Sequence, residues 1–311
     1  MSRIHEALKK AEQERASQLQ NMPSQPVPEP AAPAMPAYAS EPMAEPVGPG
    51  MVPLTAGMPS FGSAFTLDAL LARCTPQAWS PDRKTMLFFN GDDNAPGMEE
   101  FRTLRSRLYH TRERMPLKKV LITSALPKEG KSFTAANLAQ VLVRQHGRRV
   151  LLIDADLRGP RLHAMLGTTP SPGLADYLQG SADEFSVMRL GPLENLFFIP
   201  SGQQISNPGE LVANGRLKVL LQRVEALFDW IVIDSPPAVP VSDASLLAKV
   251  CDGVLIVVRS NATPVDIARR ARQEFPDETL VGVVLNGTDA DSISYARYYY
   301  EAYGSASGSE T

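Results

Sequence analysis

Residues 119–139 read KVLITSALPKEGKSFTAANLA. A short apolar run of strand character leads into a turn, and Gly130-Lys131-Ser132 then opens a stretch of helix-forming residues. Strand, glycine-bearing turn and helix start in that order make a phosphate-binding loop. The unpaired backbone N–H groups of the first helical turn point into the loop and favour an anion. In the general pattern G-x-x-x-x-G-K-[ST] the lysine reaches the β- and γ-phosphates and the hydroxyl goes to Mg²⁺. Here these are Lys131 and Ser132, while Ala125 stands where the first glycine is usual. Pro127, Glu129, Gly130, Lys131, Ser132 and Phe133 are thus the expected nucleotide contacts, with ATP and Mg²⁺ as the expected ligands.

Outward from this loop the same kind of apolar run recurs. It appears at 149–156 (RVLLIDAD), 195–200 (NLFFIP), 229–237 (DWIVIDSPP), 253–259 (GVLIVVR) and 280–286 (LVGVVLN). Helical stretches such as KSFTAANLAQVLVRQ and GRLKVLLQRVEALF lie between most of them. Continuous Val/Ile/Leu runs alternating with helices predict an α/β fold, a doubly wound, mostly parallel sheet of the P-loop NTPase type. Ligands of such sheets bind at the carboxyl ends of the strands. Two runs end there in acids. Asp154 and Asp156, two residues apart, leave an ideal strand on one face, and Mg²⁺ needs few carboxylates beside phosphate oxygens and water. Asp234 ends its own run, where it would hold Mg²⁺ directly or through water, and Pro236 and Pro237 then stop the strand.

The composition of the whole 311-residue chain bounds the partners. Apolar content is 43% and net charge −3, which gives no nucleic-acid footprint. Cys74 and Cys251 imply no disulfide framework, and the four histidines show no metal-ligand spacing. No apolar run reaches membrane-spanning length, and the charged start MSRIHEALKKAEQERA is unlike a secretion signal, so a cytoplasmic protein is expected. Residues 1–20 carry a narrow apolar stripe, either a solvated helix or a helix that docks on a partner or membrane surface. Residues 21–60 hold eleven prolines, and the stretch 21–82 reads as a disordered linker. Within it and just beyond, FTLDALLARC suggests a short helix and RKTMLFF a strand. The α/β body is placed at 83–290 and a tail at 291–311. That tail carries Tyr295, Tyr298, Tyr299, Tyr300 and Tyr303, five of the eight tyrosines. Such a cluster is either a sticky surface or a set of phosphoryl acceptors.

SALPKEGKS, LLIDADLR and IVIDSPP together resemble the Walker A, A′ and B motifs of the bacterial tyrosine kinases, which have a MinD/ParA-like P-loop fold and serve capsule and exopolysaccharide synthesis and export. PSGQQISNPGELV resembles the family's segment between A′ and B. The partitioning ATPases of the same fold carry a signature lysine where this chain has Leu126. The resemblance spans roughly residues 97–303 and takes in the tyrosine cluster. For phosphoryl transfer, Lys131, Asp154 and Asp156 are the expected catalytic residues, with Ser132, Asp156 and Asp234 on the metal and Asp154 the candidate to accept the phenol proton; the division of roles between Asp154 and Asp156 stays open. The resemblance implies autophosphorylation of the tail in trans. MEEFRTLRSRL places Glu99, Arg102 and Arg105 at E-x-x-R-x-x-R. Alone this is a charged, solvated helix face; in the family it builds the interface of a ring-shaped homo-oligomer. A separate transmembrane chain-length regulator as activator, a cognate tyrosine phosphatase and recruitment to the inner face of the plasma membrane complete the implied partners. Two other readings stand beside this one: a MinD/ParA-like ATPase switch without kinase activity, and a non-catalytic module that binds nucleotide and scaffolds an export complex.

Overall fold

A computed structural model describes residues 66–89 and 96–288. The expected helix at 1–20, the proline-rich stretch and the tyrosine cluster lie outside the described residues. The strands are β1 (Thr75–Pro76), β2 (Lys119–Ser124), β3 (Val150–Asp154), β4 (Arg189–Leu190), β5 (Leu196–Ile199), β6 (Trp230–Asp234), β7 (Gly253–Arg259) and β8 (Leu280–Asn286). They form one sheet in the order β1-β4-β5-β3-β6-β2-β7-β8, parallel throughout except between β4 and β5.

The apolar runs are continuous because the central strands bury both faces. In β3, Leu151 and Ile153 enter one core cluster while Val150 and Leu152 enter the other. The same split holds for Ile231 and Ile233 against Trp230 and Val232 in β6. With neither face in water, no polar alternation is needed. The helices are α1 (Leu67–Arg73), α2 (Met98–Arg112), α3 (Lys131–Val143), α4 (Leu162–Leu166), α5 (Leu174–Gln179), α6 (Glu184–Val187), α7 (Pro208–Ala213), α8 (Arg216–Val224), α9 (Asp243–Ala248) and α10 (Val265–Gln273). In α8 the buried positions Leu217, Leu220, Leu221 and Val224 follow the helical period. In α3 every residue but Phe133 is buried, because the sheet covers one side and α2 with the segment before it covers the other. Among the described residues no helix is long and apolar enough to cross a membrane.

The structure departs from the sequence reading at three places. Residues 66–82, expected in the linker, are folded: Thr66 caps α1 through Ala69 N (3.2 Å), Leu70 is fully buried, and Trp79 packs edge-on against Phe198. Folded structure therefore reaches at least as far as Thr66, seventeen positions before 83. RKTMLFF is no strand; Leu87–Phe89 forms a 3₁₀ turn. Its backbone is satisfied by Asn137 of α3, which accepts from Leu87 N (2.9 Å) and donates to the Thr85 carbonyl (2.8 Å), so no sheet partner is required. Finally, β3 stops at Asp154 and leaves Asp156 in the following loop.

Candidate active site

The sheet register brings the acids together. Asp154 pairs with Asp234 across β3 and β6, and Asp234 with Ile122 across β6 and β2. The phosphate-binding turn rises from the carboxyl end of β2 beside them. Its backbone needs left-handed conformations at Lys128 (φ 68°) and Gly130 (φ 96°). A side chain at 130 would also meet Asn286, whose Nδ2 would lie 2.0 Å from the added Cβ. Ala125 has no positive φ and is fully buried, so a methyl group is accepted where the general pattern has glycine.

The turn is clasped from two sides. Glu129 is buried, and its carboxylate accepts from Leu126 N (2.5 Å), from Arg259 N (3.4 Å) and from the Thr263 hydroxyl. Asn286 at the end of β8 donates to the Glu129 carbonyl (2.8 Å). Glu129 thus braces the loop, tying it to the carboxyl ends of β7 and β8. Phe133 likewise turns its ring to Phe101 of α2, centroids 5.8 Å apart. Pro127 is exposed at the turn, while Lys131 and Ser132 are buried at the start of α3.

Lys131 Nζ donates to Asp156 Oδ2 at 2.7 Å and to Ser132 Oγ at 3.4 Å. Burial pulls its pKa down, yet the charges of Asp234, Asp156 and Asp154 outweigh this and hold it above the ordinary value. Asp234 is fully buried, and neither carboxylate oxygen makes a hydrogen bond of normal geometry. Burial pushes its carboxyl up to about 6 against the pull of Lys131 and the Ser132 hydroxyl. An ionised acid in that position is costly until a cation meets it, so the donor set fits a Mg²⁺ ion that takes its other oxygens from phosphate. Asp154 is also fully buried, and accepts from Asp156 N (3.3 Å) and Leu162 N (3.1 Å). Burial, then the charges of Asp234 and Asp156, raise its pKa well above the usual carboxylate range.

Two further residues belong to the site and were not singled out from sequence. Arg158 lies within LLIDADLR and makes a bidentate pair with Asp243 at the start of α9, at 2.7 and 3.0 Å. It ties the loop after Asp156 to the loop after β6. Asn286 ends an apolar strand run just as Asp154 and Asp234 do, which was the available signal. The E-x-x-R-x-x-R triplet is split by the structure. Glu99 and Arg102 pair at 2.9 Å on the outer side of α2, but Arg105 reaches inward and donates to the Val141 carbonyl at 3.1 Å.

Comparison with known proteins agrees with this geometry. The ParA family, described as NUBPL iron-transfer P-loop NTPase, matches residues 117–292. The chain is 35% identical to the tyrosine-protein kinase YwqD of Bacillus subtilis (strain 168), over 65% of its own length and 85% of that protein. It is 30% identical to the tyrosine-protein kinase Wzc of Salmonella typhimurium, over 71% of its own length but spanning only 31% of that longer protein. Among solved structures, the kinase domain of Escherichia coli tyrosine kinase ETK superposes with a TM-score of 0.60 at 30% identity, covering 65% of this chain and 80% of that one. The fold is that of nucleotide-binding P-loop proteins.

Proposed function

Because the chain belongs to the bacterial tyrosine-kinase family within the ParA-type P-loop NTPases, we propose that it transfers the γ-phosphoryl group of ATP to tyrosine hydroxyls, first those of Tyr295, Tyr298, Tyr299, Tyr300 and Tyr303 in another copy of itself. The observation that carries this reading is the convergence of Lys131, Asp154, Asp156 and Asp234 on one carboxyl edge of the sheet.

Phosphoryl transfer calls on a protein chiefly for positioning and charge neutralisation. Without nucleotide, Lys131 is neutralised by Asp156. A polyphosphate brings more negative charge to the loop, so Lys131 follows it and Asp156 is released as an ionised acid. Mg²⁺, which Ser132, Asp156 and Asp234 would hold, supplies neutralisation of the charge on the transferring oxygens. Asp154 is assigned to accept the phenol proton: its raised proton affinity brings it nearer to the phenol, and two backbone amides fix its orientation. The brace of Glu129, Thr263 and Asn286 keeps the loop in shape while Lys131 moves. Arg158, locked to Asp243, holds the acidic loop from the other side.

The wider role follows from the same family. We place the chain in the control of capsule or exopolysaccharide synthesis and export, activated by a separate transmembrane chain-length regulator, opposed by a tyrosine phosphatase, and assembled as a ring through the outer face of α2. The direct test is incubation with labelled ATP followed by phosphotyrosine detection. Wild-type protein is expected to label its tail, and Lys131→Met to reduce labelling by at least about a hundredfold, since the main cationic contact to the phosphates is lost. Full labelling of Lys131→Met would overturn the assignment. ATP hydrolysis without phosphotyrosine would favour the ATPase switch.

A further inference from the structure

We propose that a cavity beside β4, next to the edge strand β1, is a phosphotyrosine subsite, which holds an already modified tail tyrosine while a neighbouring tyrosine is phosphorylated. The choice of ligand rests on the kinase reading; the cation and the cavity do not.

Arg189 opens β4 and is only 5% exposed. Its guanidinium donates to the Thr168 hydroxyl (3.1 Å), the Thr169 carbonyl and the Pro172 carbonyl (3.0 Å). All three acceptors are neutral, and among the described residues no carboxylate lies within ion-pair distance of Arg189. Burial pulls its pKa below the ordinary value with no acid opposing the effect. A buried cation without a counter-charge is costly, and an anion that reached it would remove that cost.

Arg189 lines a cavity of about 460 Å³, within the size range of small-ligand pockets. Arg73 stands at the same cavity, 3.9 Å over the Phe185 ring. It is paired with Asp183 at 2.9 Å, but both side chains are about half exposed, and such a pair contributes little. A dianion can therefore recruit Arg73. Phe185, Pro172 and Met188 supply apolar walls, while Ser171 and Gln77 supply polar groups. Two guanidiniums above an aromatic-lined pocket suit an aryl phosphate, which needs both charge-assisted bonds and ring contact.

The position favours the same ligand. The segment that bounds the cavity is hydrogen-bonded to the chain leaving β5, through Gly202 N to the Pro170 carbonyl (3.0 Å) and Leu174 N to the Pro200 carbonyl (2.7 Å). One wall of the cavity is thus tied to the chain that leaves the carboxyl end of β5, on the edge that carries the acids. Arg189 pairs with Phe198, and Phe198 with Leu152, two strands from β3. At about 4.8 Å per strand and about 3.3 Å per residue along β3, Arg189 lies on the order of 12 Å from Asp154. Successive tail tyrosines are one to three residues apart and Tyr298 is five from Tyr303. At about 3.3–3.6 Å per residue, pairs four or five residues apart, such as Tyr299 with Tyr303 or Tyr298 with Tyr303, span that distance. A phosphate on one tyrosine would then anchor the tail while the next enters the active site.

The test uses the full chain with its five tail tyrosines replaced by Phe, saturated with Mg²⁺ and a non-hydrolysable ATP analogue so that the P-loop is filled. Fluorescent peptides covering residues 292–304 carry either no modification, phosphate on Tyr303, or Tyr303→Glu. Fluorescence anisotropy is expected to show the phosphorylated peptide binding about tenfold tighter than the unmodified one. Arg73→Glu, which leaves the hydrogen bonds of Arg189 in place, is expected to abolish that preference, and Arg189→Gln to do the same if it folds. Equal binding of the unmodified and phosphorylated peptides, or a preference that survives Arg73→Glu, would overturn the subsite. A Tyr303→Glu peptide that binds as tightly as the phosphorylated one would overturn its specificity for phosphate. Because binding is read without turnover, a failed kinase assay leaves this result standing on its own.

Discussion

At Asp234 the fold holds a carboxyl group with no hydrogen bond of normal geometry in a fully buried position, and burial raises its pKa to about 6. An acid whose folded pKa lies above its unfolded value of 3.8 weakens the folded state when ionised. The cost is complete above about pH 6 and disappears as pH falls toward 4; at neutral pH it is on the order of 3 kcal/mol. Asp234→Asn is therefore expected to raise the melting temperature of the nucleotide-free protein by several degrees at pH 8. The gain should be much smaller at pH 5, and Mg²⁺-nucleotide binding should be lost. Thermal melts at the two pH values check this, and an equal gain at both would show that ionisation is not the cause. Sequence position showed that Asp234 is an acid at a strand end. It did not show the missing donors, because those depend on which atoms of β2 and α3 come near. Glu129 teaches the converse lesson: its place in the loop motif suggested nucleotide, whereas the fold turns its carboxylate to Thr263, 134 residues away.

The helix α2 shows what element-level contacts add. Positions 99, 102 and 105 are spaced three apart, and each step of three falls about 60° short of a full turn. The row therefore winds around the helix, and Arg105 ends against α3, where it satisfies the Val141 carbonyl in the last turn. Only Glu99 and Arg102 remain on the outer face, beside a groove of about 620 Å³ lined also by Thr103, Arg107 and His110. A clean test of the ring interface is thus Arg102→Glu alone, since changing Arg105 also uncaps α3. Wild-type protein is expected to sediment as a large species and unphosphorylated Arg102→Glu protein as a monomer, since a charge pair that the ring interface desolvates costs several kcal/mol when broken on one side. An unchanged large species would leave α2 as a solvated helix. The same contact logic explains why 83–89 misled: its apolar residues face α3, and Asn137 replaces a neighbouring strand as hydrogen-bond partner.

For the whole molecule the open step is transfer between copies. Tyr295 lies nine residues beyond Asn286, a reach of at most about 30 Å, which admits both the chain's own site and a neighbour's. Mixing a Lys131→Met chain that keeps its tyrosines with an active chain whose five tail tyrosines are Phe separates the two. Transfer between copies is expected to label the Lys131→Met chain within the tail, at a rate that rises with protein concentration; a mixture that stays unlabelled while wild type labels itself would make transfer internal. Much of this molecule was settled by sequence alone. Apolar runs that fill both faces of a sheet, alternating with helices, leave few alternatives to a doubly wound fold, and GKS with two acidic strand ends placed Lys131, Ser132, Asp154 and Asp234 in their roles as candidates, because such signals act within a few residues along the chain. Tertiary structure alone decided which acid meets Lys131, which lacks a hydrogen bond of normal geometry, that residues 66–82 are folded, and that Arg158, Arg189 and Asn286 matter. Those outcomes depend on groups from 17 to 157 residues apart in sequence meeting in space, and strand order and register, which no local pattern encodes, bring them together.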